Sequence, residues 1–347
     1  MAIISKKKEI FPISTKLRSY IKKYDREIDL PIYYSDLLRY DNSIPLYDKS
    51  GNDTLWETVF FPQGDMSQIY ASLKKVYAIM KANGDLSVMD HLIIDRVDLC
   101  VYGNTQPFRV RVVNQINDNF DYFYIKNADA SRIYGLELEH LLSPNKISYV
   151  VNKETLIEEH IVGVPAELFI KQYLKSTTLN EIRLAKEFVK FNERCFVRLL
   201  GDMHSSNYVI DITPDFEDVD YRLRAIDFDQ QSYEGRRAIY LPQYYTQNNP
   251  IIEVGLKHMT PETVKQYQRE ERSNIASRLK VERTRVDDLL KAMKDDKLSK
   301  GENIKKLKKE LADFYEDNDF NDCQSMGDLV EMSLEMLTRK PNLYKDY

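Results

Sequence analysis

Glycine and proline are both scarce, with 11 and 12 among 347 residues. That excludes collagen-like and Gly/Pro-rich low-complexity character. It also bears on phosphate binding, because no GxxxxGK[ST] loop occurs anywhere in the chain. Cysteine is scarcer still. Cys100, Cys195 and Cys323 are odd in number, widely spaced and free of any CxxC pair. A disulfide framework and a structural zinc site are thereby disfavoured, and a reducing compartment is favoured. No apolar run approaches the roughly 20 residues needed to cross a bilayer, so no membrane partner is expected. Neither sign of charge dominates: 50 Lys and Arg face 55 Asp and Glu, for a net charge of −5. The basic footprint of a nucleic-acid binder is missing, and no nucleic-acid partner is expected. Lys6, Lys7 and Lys8 near the start are not followed by an apolar stretch of signal-peptide length. A cytoplasmic location is the expectation.

What is present fits a globular chain, with 43% hydrophobic and 30% charged residues. Its length suggests two domains, or one with lobes. Ile69, Leu73, Val76, Tyr77 and Met80 recur at helical spacing, and Asn83-Gly84 ends that stripe. The period then changes. Val97, Leu99 and Val101 alternate, as do Phe108, Val110 and Val112, and Phe120 to Lys126 is aromatic and strand-like. With turns at Gly103-Asn104-Thr105 and Asn117-Asp118-Asn119, these predict an antiparallel meander. A helix over 131–142 and strands over 147–151 and 155–161 follow. Beyond Gly163 the pattern is mostly helical, interrupted by a strand pair at 207–212 and 222–228 with an acidic turn between. Met326 to Leu337 reads as a buried amphipathic helix. The lysines at 305, 306, 308 and 309 read as a solvated helix face.

The chemistry-bearing segment is Leu199 to Asp229. It holds Gly201-Asp202-Met203-His204-Ser205-Ser206-Asn207 and, after the strand pair, Ile226-Asp227-Phe228-Asp229. Phosphoryl transfer needs a carboxylate to orient or deprotonate an acceptor hydroxyl, and oxygen ligands for a metal that bridges the phosphates. Asp202 suits the first role. Asn207, with an amide oxygen, and Asp227, at a strand end, suit the second.

These two motifs resemble those of the protein-kinase-like superfamily, in particular its aminoglycoside phosphotransferase and small-molecule kinase branch. That branch carries Gly-Asp-x-His-x-x-Asn followed by Ile-Asp-Phe/Trp-Asp/Glu, matched here by Gly201, Asp202, His204 and Asn207 and by Ile226 to Asp229. The resemblance implies an α+β, two-lobed protein-kinase-like fold. Its N-lobe would be an antiparallel sheet at 91–162 and its C-lobe helical at 163–347, with extra helical N- and C-terminal segments. Residues 1–90 are expected to cap the N-lobe. ATP and Mg²⁺ are the implied cofactors, with Asp202 catalytic and Asn207 and Asp227 on the metal. Lys126 would grip the phosphates, paired with Glu137 in preference to Glu139. The strand around Leu156 to Ile161 resembles the hinge, so backbone groups from Glu159 to Ile161 would meet adenine. The implied acceptor is a hydroxyl of a small molecule or, alternatively, a protein. The chain departs from the pattern in having Gly103 alone where a GxGxxG is usual, and Leu200 where many relatives carry His. The spacing from Asn207 to Asp227 is also long, which suggests an elongated hairpin.

Other readings remain open. The weak glycine loop suits a nucleotide-binding pseudokinase that serves as a scaffold. A nucleotidyl transferase that moves AMP, or a protein kinase, would fit the same motifs. In a helical interaction protein they would be coincidence. His204 reads as a loop-bracing hydrogen bonder and Cys195 as core.

Overall fold

The computed structural model describes residues 8–340 except Thr178, Phe216 and Glu217. They form two compact units. One holds the residues up to Ala130 together with Ile147–His160, the other Ser131–Lys146 with the residues from Ile161 onward.

The first unit is built on a seven-stranded antiparallel sheet. Its strands are β1 (Asn42–Tyr47), β2 (Asp53–Phe60), β3 (Leu92–Leu99), β4 (Phe108–Asn114), β5 (Phe120–Asn127), β6 (Tyr149–Asn152) and β7 (Thr155–Glu159). They lie in the order β1-β2-β3-β4-β5-β7-β6. Three helices accompany it: α1 (Thr15–Lys23), α2 (Tyr34–Leu37) and α3 (Gln63–Ala82). The expected meander is β3 to β5. Its period-two pattern sends Phe108, Val110, Val112, Phe123 and Ile125 to one buried face. Ile69, Leu73 and Val76 of α3 join the same core cluster. Asn83 closes α3 in the left-handed region, with φ 49°, a conformation Asn tolerates better than most residues.

Residues 1–90 differ from the expected cap. Residues 42–60 supply two strands of the sheet itself, with Val59 of β2 opposite Val97 of β3. Their sequence hides this. Pro45 lies in β1, β1 keeps no buried position, and Leu55 in β2 takes φ 62°. No clean alternation survives.

Across the sheet, Asp98 is fully buried. It accepts hydrogen bonds from Thr58 (2.9 Å), Arg96 (3.1 Å) and Arg109 (2.8 Å). The Arg109 guanidinium also covers the Trp56 ring at 4.3 Å. Removing one partner of a buried charge cluster leaves the others desolvated and unpaired. Asp98→Asn is therefore expected to cost about 2 kcal/mol, read as a lower urea midpoint. An unshifted midpoint would mean that solvent already screens the two arginines.

The second unit contains α4 (Ala130–Leu142), a small sheet and a set of helices. The sheet has β8 (Val164–Pro165), β9 (Tyr208–Asp215) and β10 (Asp218–Ala225), ordered β10-β9-β8. The helices are α5 (Ala166–Gln172), α6 (Glu181–Val197), α7 (Asn249–His258), α8 (Pro261–Val281), α9 (Arg283–Asp295), α10 (Gly301–Tyr315) and α11 (Met326–Arg339). Each presents an apolar stripe inward, such as Leu184, Phe188, Phe191 and Cys195 on α6. In α11, Met326, Leu329, Val330, Leu334 and Leu337 are buried, as the sequence pattern predicts. Lys305, Lys306 and Lys309 of α10 are exposed. The break at Ile161 falls close to the expected lobe boundary, but α4 belongs with the helices rather than with the sheet that precedes it.

Among the described residues no helix is long and apolar enough to cross a membrane. All three cysteines are thiols.

Candidate active site

Backbone pairing in the second unit brings the two motifs together. β9 and β10 form a hairpin in which Tyr208 faces Ala225. The residues just outside that pair, Asn207 and Ile226, are joined by Ile226 N donating to Asn207 O at 3.0 Å. Asp227 follows directly. The long spacing is thus hairpin length, although part of the expected acidic turn, residues 216 and 217, lies outside the described residues. A second link fixes the other side. Leu200 bridges to Gln231, and Gly201 N donates to Gln230 O at 3.3 Å.

Asp202 sits in the left-handed region, with φ 63°. Its N–H donates to Ile239 O (3.2 Å) and to the Tyr245 hydroxyl (3.0 Å). Its carbonyl accepts from His204 N (3.0 Å) and Asn207 Nδ2 (2.8 Å). The backbone is held on every side, while the carboxylate has only long contacts, 3.5 Å to Asn207 Nδ2 and 4.0 Å to His204 Nε2. Burial, then the charges of Asp227, Glu234 and Asp229, push its carboxyl up to about 7. An ordinary carboxylate is fully ionised at neutrality and a poor base; this one titrates where a general base is most useful.

His204 Nδ1 accepts from Ser206 N at 3.3 Å, and burial lowers its basicity. It braces the loop as a neutral ring. Asn207 spends its Nδ2 on Asp202.

The residue that sequence reasoning missed is Arg132, in the first turn of α4. Only 2% exposed, its Nη1 donates to Asp227 Oδ1 (2.7 Å) and Asp229 Oδ1 (2.9 Å), and its Nη2 to Ile226 O (3.3 Å). Asp229 N closes the knot by donating to Asp227 Oδ1 at 3.0 Å. Gly135, one turn further on, is what lets α4 come this near. A Cβ there would stand 3.0 Å from that of Phe228. The signal was available: an arginine among Ile133, Tyr134, Leu136 and Leu138 must be buried with the helix face, and a buried cation demands a carboxylate.

The carboxylates of α4 have other work. Glu137, fully buried, is gripped by Arg285 through Nη2 (2.8 Å) and Nε (3.2 Å). Glu139 is ion-paired with Arg198 and bonded by Ser143 Oγ (2.6 Å) and Asn145 Nδ2 (2.9 Å). Burial alone would raise the Glu139 carboxyl, but Arg198, Ser143 and Asn145 outweigh it and hold it low. Glu137 thus has its ion pair within the second unit. In the first unit, Lys126 Nζ lies 2.9 Å from Glu158 Oε2, and both residues are buried. The physical reason is sheet register. Glu158 stands opposite Tyr124, diagonal to Lys126 on the same face and within reach of a long side chain.

The expected adenine contacts divide. Glu159 uses its N–H on Ser148 O (3.1 Å), and its side chain accepts from Ser148 N (2.6 Å). Its amide is thus committed within the sheet. Ile161 begins the second unit beyond the end of β7, buried and outside the strand ladder.

Among the described residues no group of three or more His, Cys, Asp or Glu is placed to hold a metal. A site made of Asp227 and Asn207 has one carboxylate and one amide oxygen, the donor set of a cation that arrives with phosphates and water. No protein-family model matches the chain, and no curated protein matches it.

Proposed function

We propose that the protein is an ATP- and Mg²⁺-dependent phosphotransferase of two-lobed, kinase-like architecture, acting on a hydroxyl of a small-molecule acceptor. The observation that carries this reading is the meeting of Asp202, Asn207 and Asp227 through hairpin register and the Leu200–Gln231 bridge. Asp202 would orient the acceptor hydroxyl and take its proton as the oxygen attacks the γ-phosphorus and the bond to the β–γ bridging oxygen breaks, releasing ADP. Bound through Asn207 and Asp227, Mg²⁺ would neutralise the charge that gathers on the phosphate oxygens. Lys126 keeps the phosphate-binding role that the resemblance implies, with Glu158 in place of Glu137 as the carboxylate that steadies its ammonium. Catalysis of this kind is mostly positioning and charge stabilisation, which suits a loop whose backbone is hydrogen-bonded so fully.

One observation favours a second reading. Arg132 already ion-pairs with Asp227 and Asp229, as expected of a nucleotide-binding pseudokinase that dispenses with metal. Titration calorimetry with ATP separates the two. In the phosphotransferase, adding Mg²⁺ tightens ATP binding at least tenfold, and Asp227→Asn removes that gain. Equal affinity with and without Mg²⁺ would reject the metal site and leave the pseudokinase.

A further inference from the structure

A cavity of about 470 Å³ opens in the second unit, where α6, α7 and α8 diverge. It shares no residue with the Asp202–Asp227 constellation. Its walls are apolar: Phe188 and Val189 from α6, Ile251 and Ile252 from α7, and Val264 from α8. Such a volume and lining fall within the range of small-molecule sites.

Its polar groups decide what it takes. Asn192 is satisfied, because its Nδ2 donates to Phe188 O at 2.8 Å and its Oδ1 accepts from Gln243 N at 2.9 Å. Lys265 is the charged residue of the lining, and it stands beside Glu262. Gln268 differs. It is only 3% exposed, lines the cavity, and makes no hydrogen bond with the described residues. Its amide atoms are not sealed from water, so they reach the open space of the cavity. An amide that reaches the cavity and has no partner among the described residues can bond to a guest there.

We infer that this cavity is a binding site for a neutral small molecule with an apolar body and a single hydrogen-bonding group that meets the Gln268 side chain. A charged ligand is disfavoured, because the walls offer no unpaired charge and the lysine has its own acid.

N-phenyl-1-naphthylamine tests this on the full chain. It is neutral, aromatic, has one N–H, and fluoresces brightly only when shielded from water. A saturable rise with one site per chain is expected. Val264→Trp, which fills the cavity, should weaken binding at least tenfold, with an unchanged circular-dichroism melt showing that the chain is folded. Gln268→Met, close in size but lacking the amide, should weaken the probe about fivefold, the value of one hydrogen bond. The isostere 1-benzylnaphthalene, with CH₂ in place of N–H, should compete with the same inhibition constant on wild type and Gln268→Met. Absence of saturable binding, or binding that survives Val264→Trp in a folded chain, overturns the site. Equal losses of both compounds in Gln268→Met overturn the role of the amide.

Discussion

Replacing Asp202 by Asn should abolish ATP turnover, by at least 10³-fold, while the chain keeps its fold. Asn is the informative substitution here. Asp202 lies at φ 63°, where Asn is tolerated and Ala carries a steric penalty of about 1 kcal/mol. An alanine variant would therefore mix a stability loss with the chemical one. The expected pH behaviour follows from the carboxyl raised from 3.8 to about 7. As a base, Asp202 acts when ionised, so kcat/KM of the wild type should climb through neutrality. Stability runs the other way. The folded state holds a proton that the unfolded chain has already released between about pH 4 and 7, so this group lowers stability as pH rises across that window. Asp202→Asn lacks that penalty. Its melting temperature should equal or exceed that of wild type at pH 8, with the difference vanishing near pH 4. Turnover undiminished in Asp202→Asn would dispose of the mechanism; a wild-type rate independent of pH from 5 to 8 would dispose of Asp202 as its base.

Arg132→Leu should damage both fold and chemistry. The variant leaves Asp227 and Asp229 facing each other without the guanidinium that joins them, a loss of about 3 kcal/mol visible as a melting point several degrees lower. With those charges no longer offset by the guanidinium, the Asp202 carboxyl should rise further, and the acid limb of the activity profile should move to higher pH. Arg132→Lys should recover only part of this, because a single ammonium cannot reproduce a planar fork that reaches two carboxylates and the Ile226 carbonyl. Full activity with an unmoved pH profile in Arg132→Leu would reduce Arg132 to a structural brace. Activity that increases instead, together with tighter Mg²⁺ binding, would show that the arginine competes with metal.

Much of this could be read from residues alone, and the boundary of legibility has a physical cause. Period-two alternation around Phe108, Val110 and Val112 gave away the meander, because one face of that sheet is buried continuously. β1 and β2 escaped because Pro45, Leu55 at positive φ and a half-exposed edge erase the alternation. At the site, Asp202, Asn207 and Asp227 were found because each lies in a short motif whose spacing is local. Their partners lie far away along the chain. Lys126 finds Glu158 through strand register, Glu137 finds Arg285 in α9, and Asp227 finds Arg132 in α4. Which arginine meets which carboxylate is decided by how helices pack, and packing leaves no local mark beyond a charge embedded in an apolar stripe.

The placement of α4 has a consequence for how the protein can be made. The chain enters the helical unit at Ser131, leaves it at Lys146 and returns at Ile161, so the unit is not one contiguous stretch of gene. A fragment begun at Ile161 would lack Arg132, Tyr134, Glu137 and Glu139, and would leave Asp229, Arg198 and Arg285 short of a partner. During synthesis the same connectivity imposes a wait. Glu137 emerges 148 residues before the arginine that holds it, roughly ten seconds or more at common elongation rates. The other partners of α4 arrive in between, Arg198 for Glu139 and then Asp227 and Asp229 for Arg132. A nascent chain arrested between Lys146 and Arg198, before any of these partners has emerged, should therefore show α4 more open to protease than one arrested beyond Arg285.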